Sequence, residues 1–219
     1  MKQVYDIHPH KVYVANIDKD DDFHLETLNE SIRTMNFFVG DIRTGKDDYT
    51  SEQKNYWINS TTYSREFNNP AFKEIFDFID KCANEYLKEF CVDTNVYQIK
   101  MTSSYLNKCT KGQSYHNHTG AFISYSYYFY LDGTVSPIIF GNPVQADSTY
   151  FPFNLCTTRV EAEFYPVAGD TMFFPSYIQH RVPDLEATTN RVYDGTRWLL
   201  NGDYHIFSDV HPNLPNRIL

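Results

Sequence analysis

Two stretches of this chain hold side chains whose types and spacing could do chemistry. The first, SYHNHTGAFISYSYYFYL from Ser114 to Leu131, sets His116 and His118 two residues apart ahead of an aromatic run. The second, FYPVAGDTMFFPSYIQHRV, reaches His180 after an apolar run and a Pro-Ser turn. Residues i and i+2 of a strand point to the same face, so two imidazoles can converge on one point without strain. A third imidazole, from a distant strand, would close one triangular face of a metal site. Imidazole suits iron(II), and a metal held on one face keeps open positions for a two-point co-substrate and for dioxygen. A co-substrate with two carboxylates also needs a buried cation at its far end, where the guanidinium fork of Arg fits. Arg197 opens RWLLN, with Leu199 and Asn201 on its own strand face; Arg191 and Arg181 are competitors. Arg181 follows His180 directly and is expected on the opposite face.

The chain carries its own control for this pattern. His8-Pro9-His10 repeats the His-x-His spacing in a chain with eight histidines. Proline cannot sit inside an interior strand, so that pair is given no metal role. The acidic run Asp20-Asp21-Asp22 is read as a solvated helix start, favourable to the helix dipole. Gly169-Asp170 before an apolar strand is read as turn chemistry.

The elements that must position these residues change period near residue 93. Residues 20–36 read as a helix, with Phe23, Leu28, Ile32 and Met35 approximating one face. Residues 69–90 are the clearest helix. Asn69 can cap it, Pro70 suits its first turn, and Phe72, Ile75, Phe76, Ile79, Cys82, Ala83, Tyr86, Leu87 and Phe90 keep a three-and-four spacing. That stripe is expected to pack on the outside of a sheet. Earlier, Val12, Tyr13 and Val14 suggest one short strand, and residues 40–60 are polar and turn-rich with Trp57 as anchor.

Beyond Asp93, NVYQIKMTSSYLNK alternates as a strand. Further strands are expected at 121–131, 138–140, 160–167, 171–174 and 197–207, with turns at Asp132-Gly133, Gly141-Asn142-Pro143, Gly169-Asp170 and Gly202-Asp203. Many short strands at this spacing predict a jelly roll or a related barrel. The fold class expected is therefore α+β, mainly β, in one domain over 1–219. Helical support occupies about 1–92 and the β core about 93–210.

Composition sets outer bounds. Of 219 residues, 42% are hydrophobic and 17% aromatic, enough for a packed core. The net charge of −9 argues against nucleic acid as a partner, because phosphate binding needs Lys/Arg patches. The four cysteines (Cys82, Cys91, Cys109 and Cys156) form no CxxC pair. With no secretory segment at the start, reduced thiols in the cytoplasm are expected. No apolar run approaches the roughly 20 residues of a membrane span.

Taken in order, SSYLNKCTKGQSYHNHTGAFISYSYYFYLDG, IIFGNP, YPVAGDTMFFPSYIQHRV and TRWLLN resemble the double-stranded β-helix core of the 2-oxoglutarate- and iron(II)-dependent oxygenases. The likeness is closest to a bacterial and phage branch with a His-x-His…His pattern, and is best over residues 102–201. It implies a jelly-roll (cupin-like) core and a hydroxylase using Fe(II), 2-oxoglutarate and dioxygen. It also implies a cytoplasmic protein, in the host cytoplasm if phage-encoded. His116 and His180 would be the two histidine ligands. His118 stands where most relatives place Asp or Glu; it either ligates as a third imidazole or leaves that position to water or a distant carboxylate. Arg197 is the expected partner of the co-substrate's distal carboxylate, with Arg191 as fallback. Tyr105 and Asn107, on one face of the preceding strand, are candidates to hydrogen-bond the co-substrate, as is Tyr128 or Tyr130.

Two other readings stand beside this one. A three-His dioxygenase of the cupin sort would act without 2-oxoglutarate, and a binding or structural jelly roll would carry a vestigial or zinc-holding cluster. The substrate, a small molecule or a side chain, is unspecified. Residues 40–60, 142–158 and 183–196 are the candidate recognition loops. A homodimer through a sheet edge or the N-terminal helix is compatible with the sequence.

Overall fold

The computed structural model describes residues 2–7, 10–34, 54–57, 70–90, 92–93, 96–109, 112–141, 161–183, 185–186, 191–192 and 195–208. The N-terminal half supplies β1 (Lys2–Ile7), β2 (His10–Asn16), α1 (Asp21–Thr34), β3 (Lys54–Trp57) and α2 (Pro70–Glu89). Then follow β4 (Tyr97–Cys109), β5 (Gln113–His116), β6 (Ile123–Asp132), β7 (Ile138–Gly141), β8 (Glu161–Phe164) and β9 (Asp170–Pro175). The chain continues through β10 (His180–Val182), β11 (Leu185–Glu186), β12 (Arg191–Val192) and β13 (Thr196–Ser208).

Seven strands form one antiparallel sheet in the order β1-β2-β9-β6-β13-β4-β3, and four form a second, β5-β10-β7-β8. The non-sequential order of both sheets is that of a jelly roll rather than a meander, as the strand spacing predicts. A two-stranded ribbon, β11-β12, stands apart.

The large sheet has two working faces, and alternation along its strands separates them. On β6, Ile123, Tyr125, Tyr127 and Phe129 join the core under the helices, while Tyr128 joins the core between the sheets. On β13, Leu200 and Tyr204 face the helices and Leu199 faces inward. The predicted α2 stripe fills the helix-side core: Phe72, Ile75, Ile79, Ala83 and Tyr86 are fully buried against Tyr125, Phe129 and Phe173. The inter-sheet core is built by Val12, Cys109, Phe140, Met172, Phe174 and Ile178.

Several expectations need correction. The N-terminus forms two strands, not one: β1 and β2 pair antiparallel around His8-Pro9, and β2 continues the sheet by pairing with β9. The proline thus falls between strands, which is how β2 can be an interior strand. The region read as turn-rich contains β3, paired with β4. Among the described side chains of α1, the buried set is His24, Thr27 and Leu28, with Phe23 at its edge; Ile32 and Met35, placed on that face from sequence, lie outside the described side chains. The acidic run stands at the helix start as read, and Asp20 in addition caps it, its carboxylate accepting from the Phe23 amide at 2.7 Å. Gly202 and Asp203 form no turn; both lie within β13, paired with Ser104 and Ser103 of β4. Asn69, Cys91, Cys156 and most of the three candidate recognition loops lie outside the described residues. Cys82 and Cys109 are buried and are not in a disulfide. Among the described residues no helix is long and apolar enough to cross a membrane.

A three-histidine cluster in the jelly roll

The two sheets bring His116, His118 and His180 together. His116 is the last residue of β5, directly opposite His180, the first of β10. His118 lies two residues past the end of β5, so its convergence with His116 does not come from sharing a strand face. It is set instead by its amide, which donates to the Ser176 carbonyl at 2.8 Å and ties the loop to the turn after β9. One ring nitrogen of each histidine lies within 4.8 Å of the other two. The ring centroids are 4.3 Å apart for His116–His180, 5.2 Å for His118–His180 and 5.6 Å for His116–His118.

In all three rings Nδ1 is committed to an internal acceptor. Nδ1 of His116 faces the Ser114 carbonyl at 2.9 Å, and Nδ1 of His180 faces the Ile178 carbonyl at 3.1 Å. Nδ1 of His118 faces the Asp203 carboxylate at 2.9 Å. A carbonyl or carboxylate oxygen only accepts, so Nδ1 must carry the proton, which leaves Nε2 of each ring as the lone-pair nitrogen. Metal-binding histidines are oriented in this way. His180 is buried against Phe140 and Phe174. Its pKa is pushed down to about 3 by burial first and then by the two neighbouring imidazoles. It is therefore neutral at physiological pH, the form that binds a metal without expelling a proton. Donor type, tautomer and spacing all fit a divalent metal of the iron class.

The inner face of β13 carries Arg197, Leu199, Asn201 and Asp203 in alternation. Arg197 is 4% exposed and donates from Nη1 to Ser136 Oγ at 2.9 Å. It lies beside Tyr128 and Cys109: burial pushes both of their pKa values up, and the guanidinium pulls them back. Asn201 Oδ1 accepts from Ser126 Oγ at 2.6 Å. A register shift between Trp198 and Leu199 against β6 puts Tyr128 inside and leaves Tyr130 packed toward the helices. Tyr128, not Tyr130, therefore lines the interior.

The competing arginines separate. Arg181 pairs with Glu161 at 3.2 Å and sits over the Tyr115 ring, apart from the inner face of β13. Arg191 opens β12, opposite Glu186, and its side chain is outside the described residues. Tyr105 and Asn107 pair with Asn201 and Leu199 of β13, while their side chains are likewise outside the described set. His10 opens β2, while His8 and the His10 side chain lie outside the described residues. Asp170 accepts from Asn16 Nδ2 at 3.0 Å and from the Val167 amide at 2.9 Å, a structural role at the start of β9. Sequence reading missed Asp203, Ser124, Ser126 and Ser136. The alternation already seen for Arg197, Leu199 and Asn201 extends to Asp203 and was the available signal.

The structure thus sets a cluster of three histidines and a buried arginine inside a jelly roll. Residues 103–193, from β4 through β12, match the family model described as "Putative 2OG-Fe(II) oxygenase". That match covers the β core and not the N-terminal helices and strands, so what it carries is a likeness of the core to 2-oxoglutarate- and iron(II)-dependent oxygenases. The fold is similar to that of a Pseudomonas putida prolyl-4-hydroxylase, with TM-score 0.54 at 12% identity over 91% of this chain and 95% of that one. A Trichoplax adhaerens prolyl hydroxylase, solved with a hypoxia inducible factor peptide, gives TM-score 0.55 at 14% identity over 91% and 86%. HygX from Streptomyces hygroscopicus, solved with nickel and 2-oxoglutarate, gives 0.54 at 9% identity over 89% and 82%. No curated protein sequence matches the chain.

Proposed function

We propose that His116, His118 and His180 hold the iron, that Arg197 anchors the distal carboxylate of 2-oxoglutarate, and that the enzyme hydroxylates a C–H bond of a small molecule or side chain. The observation that carries this reading is the convergence of the three rings, one nitrogen of each within 4.8 Å of the other two, with each Nδ1 facing an internal acceptor. Bound iron, 2-oxoglutarate and dioxygen would supply the oxidising chemistry: 2-oxoglutarate would lose carbon dioxide and take one oxygen atom to become succinate, and the other oxygen atom would enter the substrate C–H bond.

The chain's own residues position and shield that chemistry. Phe140 and Phe174 pack on His180 and keep water from its buried side. The inner face of β13 carries Asp203 at the histidine end and Arg197 further along, where the guanidinium would meet the free carboxylate of the co-substrate. Ser136 holds the Arg197 fork in place. Tyr128, buried beside Arg197, and Tyr105 and Asn107 on β4 are the further candidates to hydrogen-bond the co-substrate.

The ligand set His116, His118 and His180 contains no carboxylate, which favours the alternative of a three-His dioxygenase independent of 2-oxoglutarate. Iron-dependent oxygen uptake with and without 2-oxoglutarate separates the two. Uptake that requires 2-oxoglutarate and yields equimolar succinate supports our reading; uptake indifferent to it supports the alternative.

A further inference from the structure

Three neutral imidazoles leave the double charge of a bound metal uncompensated by the protein, so the location of the nearest fixed anion matters. Asp203 presents a carboxylate to the cluster. Its Oδ1 accepts from His118 Nδ1 at 2.9 Å and from Ser124 Oγ at 2.6 Å. Ser124 Oγ lies 2.9 Å from Ser176 Oγ, and both serines are fully buried. The side chains of His118 and Asp203 are 14% and 19% exposed. The backbone of Asp203 is fixed on β13, where its carbonyl accepts from Thr102 Oγ1 at 3.2 Å. Two donors on one oxygen determine which oxygen faces the imidazole, so the contact is built rather than incidental.

We propose that Asp203 supplies the site's carboxylate from one hydrogen bond outside the coordination sphere, acting through His118 as a positioning residue. The inference rests on the reading of His116, His118 and His180 as metal ligands. A carboxylate on Nδ1–H fixes the tautomer, orients the ring and makes Nε2 a stronger donor. The negative charge that relatives place on the metal directly would here reach it through the imidazole. Ser124 holds that carboxylate in register and is the reason a small hydroxyl residue stands on β6 at this point.

Asp203→Asn separates charge from shape, because its amide oxygen still accepts from His118 and Ser124. The test is anaerobic titration with Co(II), without 2-oxoglutarate or substrate, following affinity and the ligand-field spectrum, together with the melting temperature of the metal-free protein. Wild type should bind one Co(II) per chain. D203N should bind it roughly 10–100-fold more weakly, with shifted ligand-field bands and an unchanged metal-free melting temperature. D203A, which also loses the orienting contact, should bind more weakly still. Wild-type affinity and spectrum in D203N would overturn the proposal. So would a weakening matched by a lower metal-free melting temperature with unmoved bands, which marks a merely structural role. A wild type that takes up no Co(II) would overturn the metal-site reading itself.

Discussion

At the scale of single residues, the site depends on a few buried polar groups held by directional bonds. His180→Ala removes the most buried of the three proposed ligands and should weaken metal binding by more than the roughly 100-fold that loss of an outer hydrogen bond costs. Equilibrium dialysis against Fe(II) or Co(II) measures this, and near-wild-type uptake would remove His180 from the ligand set. Arg197→Ala leaves the metal ligands intact. Truncating one partner of a buried charge pair costs about 2–5 kcal/mol, so 2-oxoglutarate should bind at least about 30-fold more weakly while Fe(II) binding holds. His24 gives a separate prediction. Burial holds its pKa below the ordinary 6.5, against the pull of Asp21 and Asp20. The unfolded chain then binds the proton more readily, so this group's share of stability is present above pH 6.5 and is lost as pH falls below it. His24→Gln should flatten that part of the decline in thermal melts between neutral and mildly acidic pH; an unaltered profile would contradict it. The three clustered histidines and the buried Arg197 were legible from their residue types and from the order of the segments that carry them. Asp203 was passed over although the expected strand at 197–207 includes it, because Gly-Asp is a common turn pair; its pairing with Ser103 of β4 settles it as strand.

At the scale of elements, α2 was the easiest to read and β3 the hardest. A helix needs only its own three-and-four apolar spacing, and α2 displays it over its length. Ile79 sits at its centre, fully buried among Tyr125 and Phe173. Ile79→Ala should cost about 2–5 kcal/mol of stability in chemical denaturation and leave metal affinity per folded molecule unchanged. A loss of affinity in the folded protein would mean the helix positions the site more directly than its packing indicates. Strands such as β3, β5 and β10 are three or four residues long. Their identity lies in their partners, and periodicity over so few residues carries little. The placement of His118 shows the same limit: its convergence with His116 was foreseen, while the cause is a loop amide bonded to Ser176 and not a shared strand face.

At the scale of the whole molecule, β13 belongs to both cores: Leu200 and Tyr204 pack under the helices, and Leu199 between the sheets. The same strand carries Arg197 and Asp203, so the helix-side core braces the backbone that holds the pocket. One cooperative unit over 1–219 is therefore proposed, with coincident far-ultraviolet and aromatic circular dichroism transitions in urea; two separated transitions would divide it. The central claim is that the cluster and Arg197 together take iron and 2-oxoglutarate. The measurement closest to it is anaerobic titration of the iron(II)-loaded protein with 2-oxoglutarate, followed by the visible charge-transfer band of the chelate. Wild type should develop the band to saturation at one co-substrate per chain, and R197A should need at least about 30-fold more. Iron that binds without ever giving the band, or an R197A titration that overlays the wild type, would contradict the account.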